Sequence, residues 1–318
     1  MLDFVFSLRP PVDFGLMFTA AAGYQTLGKA ISSPDPLSVR RGGKQARYRR
    51  AMRVGEAVAL VELAGEGTME ASLVRVNLLA AKGSLSEDVL RKNIAWMIDP
   101  AFDPAPFYAL AAADPVLQGT VERLRGLRLL RFTSVFESLM VTIIEQQIAL
   151  KAAQKAEMWL AETYGDSVEY QGERYYVYPT AERLAALEPA ELASLKITFV
   201  RVGRMLAIAR REVSGELGLE RLLAGGEKAM YEALLALPGV GHWTAAWTMI
   251  RSLGHFLYVG GADVALRSAV NHYYHGVKGR IDIPAMDAVF QRYGDYAGLA
   301  GFYTLTRWAL DKSAFEER

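Results

Sequence analysis

The chain has 318 residues, enough to bury a large core in two or three domains. Hydrophobic residues make up 52% and charged residues 22%, an ordinary globular balance, and with a net charge of +1 any nucleic-acid contact must come from a local patch. The absence of cysteine excludes disulfides, thiolate nucleophiles, Cys-ligated zinc and iron–sulfur clusters. The N-terminal apolar run is too short for a signal peptide and its charges are wrongly placed. No apolar run is long enough to span a bilayer, so a cytoplasmic, non-membrane protein is expected.

In chain order, residues 1–88 read as a small α+β domain. A helix is expected near Phe14–Ala30. Strands follow over Val54–Leu63 and Glu70–Leu79, where β-branched residues alternate with period two, and Gly65-Glu-Gly67 reads as the turn between them. Beyond Ser86 the period becomes helical. Asp88–Met97 is one helix, and Thr133–Tyr164 carries apolar residues at i, i+3, i+4 spacing through Phe136, Met140, Ile143, Ile144, Ile148 and Leu160. Tyr170–Pro179 reads as an irregular aromatic connector, and Thr180 and Pro189 each open a short helix. Helices follow at Val202–Glu212, Glu227–Ala236, Thr244–Leu253, Val264–Tyr274, Met286–Tyr293 and Leu299–Leu310. The expected fold class is α+β, with a small antiparallel-sheet N-terminal domain and a mainly α-helical body. The body divides into a helical domain over 89–227 and a region over 228–318 that packs with 89–124.

Leu237-Pro-Gly-Val-Gly-His-Trp-Thr-Ala245 stands out in the body. An apolar helix runs into a Pro-Gly-x-Gly turn and out into a second helix whose small residues Thr244, Ala245 and Ala246 allow close packing. This is the helix–hairpin–helix signature, more specific than a generic Pro-Gly turn. The fresh helix start leaves amide N–H groups pointing outward, a ready site for a phosphate. In this geometry the Gly239 and Gly241 amides face a phosphate, with His242 and Thr244 beside them. The carbonyls of Leu235, Leu237 and Val240 face a monovalent cation, sodium or potassium; no other cofactor is required. Such a grip reads backbone and not sequence. Asp263 lies twenty residues beyond Trp243, after Gly260 and Gly261, where a helix begins. It reads as the N-cap of that helix, as a catalytic carboxylate, or as both, since a cap fixes the carboxylate in place.

Together these features resemble the helix–hairpin–helix DNA glycosylases, and the order of further segments resembles the 3-methyladenine DNA glycosylase II branch. The matching segments are Pro10-Pro11-Val12-Asp13-Phe14, Phe136-Glu137 with Ile143-Ile-Glu-Gln-Gln147, Tyr178-Pro-Thr180 with Arg183-Leu-Ala185, and Tyr293-Gly-Asp-Tyr296-Ala-Gly-Leu-Ala300. The resemblance implies that Asp263 is the catalytic aspartate and that Gln147 is the wedge filling the gap left by a flipped base. It places Tyr293 where the family has a base-stacking tryptophan. It also places Trp243 where some members carry a lysine that forms a Schiff base and nicks the strand. A tryptophan cannot do so, which implies a monofunctional enzyme that excises alkylated purines from damaged double-stranded DNA and leaves an abasic site. A monomer acting at the nucleoid is expected. Trp243 and Trp247, four residues apart on one helix, read either as core packing or as a pocket wall whose electron-rich faces attract a cationic alkylated base. Phe18 is expected to complete that wall. The other readings are a non-catalytic DNA-binding module of the same fold and a glycosylase for oxidised or deaminated bases.

Arg40–Arg53 holds seven basic residues and no acid. It serves equally as a backbone-phosphate contact or as a solvated loop and protected strand edge. His272 and His275 lack partners for a metal site.

Overall fold

The computed structural model describes residues 2–31, 46–221 and 225–316. Its N-terminal part is a five-stranded antiparallel sheet in the order β1-β5-β4-β3-β2. The strands are β1 (Asp3–Ser7), β2 (Gly28–Ile31), β3 (Arg47–Val54), β4 (Ala57–Thr68) and β5 (Ala71–Lys82). Helix α1 (Phe14–Tyr24) is shorter than expected, because the chain after Gln25 turns into the edge strand β2. The glycines read as a turn, Gly65 and Gly67, lie inside β4, and Met69 and Glu70 make the turn instead. A Cβ on Gly65 would sit 2.3 Å from the Phe14 ring, so that glycine lets a helix side chain approach the strand. The part of Arg40–Arg53 from Arg47 onward lies in β3; residues 40–45 of that segment lie outside the described ones.

The sheet is covered on both faces, which explains the nearly unbroken apolar run of β4. On one face Phe4, Phe18, Tyr48, Leu63 and Val76 pack with Leu90, Ile94 and Met97 of α2 (Glu87–Ile98). This helix, first of the expected helical body, thus belongs to the sheet's own core. On the other face Ala51, Val58 and Leu60 meet Val168, Tyr175 and Val177. Val168 and Tyr175 come from a two-stranded hairpin, β6 (Ser167–Tyr170) and β7 (Glu173–Tyr176), and Val177 directly follows it, where an irregular connector was expected.

The remaining elements are helical: α3 (Ala105–Ala111), α4 (Pro115–Arg123), α5 (Val135–Glu145), α6 (Leu150–Tyr164), α7 (Ala181–Ala185), a 3-10 helix at Pro189–Leu195, α8 (Phe199–Val213), α9 (Glu227–Leu235), α10 (His242–Leu253), α11 (Val264–His275), α12 (Ile283–Gln291) and α13 (Ala297–Glu316). The long periodic stretch Thr133–Tyr164 is two helices, α5 and α6, with Gln146 and Gln147 in the break. Two apolar cores build the body. One joins α5, α6 and α8 to the hairpin residues Met230, Leu234, Leu237 and Val240. The other joins Phe107, Leu117 and Val121 to α11, α12 and α13. Helix α10 lies between them and is buried from Thr244 to Leu253 on every side. Ala245 and Met249 face the first core, whereas Trp247 and Ile250 face the second. Among the described residues no helix is long and apolar enough to cross a membrane.

Candidate active site

A cleft of about 1260 Å³ opens where α1, the α5–α6 break, the hairpin, the start of α11 and α13 converge. Pockets for a small ligand span about 300–1,000 Å³, so this one has room for a base together with its sugar and flanking backbone.

Asp263 lies on the cleft wall as the N-cap of α11. One carboxylate oxygen accepts the Leu266 N–H at 2.9 Å. The other accepts the indole N–H of Trp243 at 3.1 Å. Cap and indole together fix the carboxylate in one orientation. The two preceding glycines are needed for space. A Cβ on Gly260 would lie 2.6 Å from the Trp247 ring nitrogen and 3.0 Å from Trp243, and one on Gly261 would lie 2.4 Å from the Asp287 carboxylate. Both indoles and Asp287 therefore close on the turn that delivers Asp263.

Trp243 is half-buried and Trp247 fully buried, and both line the cleft. The floor holds a charge that the sequence reading missed. Arg251 pairs with Glu145, and both line the cleft. Its guanidinium lies 5.1 Å from the Trp247 ring centre and 5.7 Å from that of Tyr24. Burial works against the Arg251 charge, but Glu145 and, further off, Asp263 hold its pKa above the ordinary guanidinium value.

The hairpin turns at Gly239, whose φ of +81° lies in the left-handed region that favours glycine. Among the described residues the backbone N–H groups of Gly239, Gly241, His242, Trp243 and Thr244 have no acceptor within the protein, and Ala245 is the first to bond back, to Gly241. They form a cluster of donors at the mouth of the cleft. His242 is exposed, and its ring nitrogen Nδ1 is bonded to the Tyr231 hydroxyl. Burial raises the Tyr231 pKa to about 12, so this hydroxyl keeps its proton. The Thr244 hydroxyl is buried and accepts a hydrogen bond from Gln146 at 2.8 Å. Its side chain is thus an internal bracket, while its N–H stays free to serve beside those of Gly239 and Gly241. The Leu237 carbonyl accepts the Val240 N–H at 3.1 Å.

Gln147 is exposed at the break between α5 and α6, beside the cleft, with φ +55°. Two expected wall residues lie elsewhere. Phe18 is fully buried in the sheet core and stacks on Tyr48 at 5.7 Å. With Met17 and Ala21 it occupies the sheet-facing side of α1, while Leu16, Thr19, Ala20, Gly23 and Tyr24 occupy the cleft-facing side. Tyr293 is buried outside the cleft, where its hydroxyl bonds to Asp114 and to Tyr274, each at 2.9 Å. Its polar tip holds α4 against α11, and the corresponding wall is formed by Phe302, Leu305 and Thr306 of α13. Tyr24 had a sequence signal, since it lies two helical turns beyond Leu16.

No family model matches the chain. Over 167 residues, 52% of its length, it is 35% identical to the DNA-3-methyladenine glycosylase of Bacillus subtilis. It spans about half of that relative's length, 55%. The structure superposes on the 3-methyladenine DNA glycosylase of Archaeoglobus fulgidus with a TM-score of 0.72, over 96% of this chain and 98% of that one, at 22% identity. The chain thus resembles 3-methyladenine DNA glycosylases in sequence and has the DNA-glycosylase fold. The glycosylase fold extends to an 8-oxoguanine glycosylase/lyase of Clostridium acetobutylicum, solved with double-stranded DNA, with a TM-score of 0.68 and 21% identity over 86% of this chain and 87% of that one. Within this glycosylase fold the hairpin and the Asp263 turn form one wall of the cleft.

Proposed function

We propose that the protein is a monofunctional DNA glycosylase that excises alkylated purines of the 3-methyladenine type from double-stranded DNA and leaves an abasic site. The observation that carries the proposal is Asp263, a carboxylate fixed by a helix cap and an indole on the wall of a cleft whose mouth is a cluster of free amides. The hairpin amides hold one backbone phosphate, Gln147 enters the stack, and the extruded nucleotide lies in the cleft. Cleavage of the C1′–N bond leaves positive charge on the sugar. A preorganised carboxylate stabilises that charge more in the transition state than in the ground state, and it orients or deprotonates the attacking water.

The ring face of Trp243 suits a base that is itself cationic. Such a base is already a good leaving group, so the protein needs to supply little acid catalysis. Trp243 carries no amine, so no Schiff base forms there and no strand is cut. In this reading the carbonyls of Leu235, Leu237 and Val240 hold a structural monovalent cation, the Leu237 carbonyl keeping one lone pair beyond its bond to Val240.

The likeness to an 8-oxoguanine glycosylase/lyase favours oxidised bases as the second reading, and that likeness is one of fold. The purified protein incubated with duplexes that each hold one lesion distinguishes the readings. Release of free 3-methyladenine with no borohydride-trapped adduct is expected. Selective release of an oxidised or deaminated base would favour the second reading, and binding without release would leave a DNA-binding module.

A further inference from the structure

The side chain of Gln146 makes two hydrogen bonds across the cleft mouth, from Nε2 to the Gly239 carbonyl at 3.0 Å and to the Thr244 hydroxyl at 2.8 Å. Both acceptors belong to the hairpin: Gly239 is its turn, and Thr244 lies in the first turn of α10. The residue before it, Glu145, is tied to Arg251 two turns further along α10. The residue after it, Gln147, is exposed, with a left-handed backbone that non-glycine residues rarely adopt. Two successive residues of the α5 terminus are thus fastened along α10, and the third is held out in a conformation it would not adopt alone.

We infer that Gln146 is a positioning residue that locks the wedge at Gln147 to the phosphate grip of the hairpin. The two devices act on one DNA molecule at the same moment. The hairpin fixes the backbone, and the wedge must enter the stack at a set distance from it. A loop free to shift against the hairpin would still hold phosphate but would meet the stack out of register. The single amide of Gln146 reaches the turn that grips and the helix that carries Trp243, so it sets that distance. The inference rests on the DNA-glycosylase reading, because it presumes that Gln147 enters DNA.

The test uses the full chain and a duplex with a tetrahydrofuran abasic site opposite 2-aminopurine, whose fluorescence reports unstacking without any base release. The variants are Gln146→Met, close in shape but without donors, Gln147→Ala, and the double variant. Gln146→Met should lower the unstacking signal about tenfold, as expected for two lost hydrogen bonds, and leave affinity for undamaged duplex within about twofold. The double variant should be no worse than Gln147→Ala, because residues that act as a unit are non-additive. Losses that add, or an unchanged signal in Gln146→Met, would overturn the inference. Should Gln146→Met fail to fold, Thr244→Val removes one acceptor and should give a smaller loss of the same kind; an unchanged signal there would also overturn it. Wild-type protein that unstacks the reporter but releases no 3-methyladenine would refute the alkylpurine reading and leave this inference standing.

Discussion

The indole N–H of Trp243 donates to the carboxylate of Asp263 at 3.1 Å, so the side chain that walls the cleft also holds its acid. The phenylalanine variant, Trp243→Phe, keeps an aromatic face and removes this bond. A hydrogen bond to a charged group contributes roughly 1.5–3 kcal/mol, so single-turnover excision should fall at least about tenfold. Substrate affinity should change less than the rate. A larger effect on affinity than on rate would show that Trp243 acts mainly as a stacking wall.

Asp263 serves both as cap and as carboxylate, and Asn separates the two. Asparagine caps helices about as well as aspartate, so Asp263→Asn should melt within a few degrees of wild type. The loss of charge should lower the excision rate by about 10²–10³-fold, the scale of removing one preorganised electrostatic group. Thermal melts and single-turnover assays on methylated DNA check the two halves. An unchanged rate would remove Asp263 from the chemistry.

Gly260→Ala should damage the site through packing. Its Cβ would lie 2.6 Å from the ring nitrogen of the fully buried Trp247 and 3.0 Å from Trp243. Overpacking of this kind costs about 1–3 kcal/mol, visible as a lowered melting temperature, and it displaces both indoles from the cleft. Excision should fall with stability. A variant that melts like wild type would show that the turn relaxes freely.

Gly239→Ala should weaken DNA binding uniformly. The position needs φ +81°, and a Cβ would lie 2.4 Å from the Arg204 side chain. Affinity for undamaged and lesion-bearing duplexes should fall together, by about tenfold, with the ratio between them unchanged, because a grip of this kind on the backbone reads no base. Titrations of both duplexes at fixed salt measure this. A selective loss for the lesion would place the hairpin in base recognition.

Glu157 gives the protein a pH dependence. It is buried, Thr26 donates to one of its oxygens at 2.5 Å, and the other has no partner. Burial, with Glu145 nearby, raises its pKa from 4.5 to about 8. Between these values the folded state holds a proton that the unfolded state releases. This contribution to stability is therefore complete below about pH 4.5 and is lost as pH rises through about 8. Melting temperature measured from pH 5 to 8.5 should fall more steeply in wild type than in Glu157→Gln. Parallel curves would show that Glu157 is ionised in the fold.

The hairpin and the Asp263 turn were legible in sequence because their chemistry is local. A Pro-Gly-x-Gly turn and an Asp opening a helix have one geometry in any setting. Phe18 and Tyr293 were misplaced because which face of a helix meets which partner is a tertiary matter. Thr19 and Phe18 are adjacent in sequence yet point into different layers. The Arg251–Glu145 pair joins residues 106 apart, and nothing local marks it. The β6–β7 hairpin did leave a signal. Gln171-Gly172 takes φ of +53° and +78°, the two-residue turn that joins strands with the right twist, and alternating residues flank it.

The cleft draws its walls from α1, near the start of the chain, and from α13, some 280 residues later. A growing chain can form its sheet, whose core holds no residue of α13, while that helix is still unmade. Until then Phe302, Leu305 and Thr306 are missing and the cleft lies open on one side. Completion of the cleft therefore waits on α13, the last described helix.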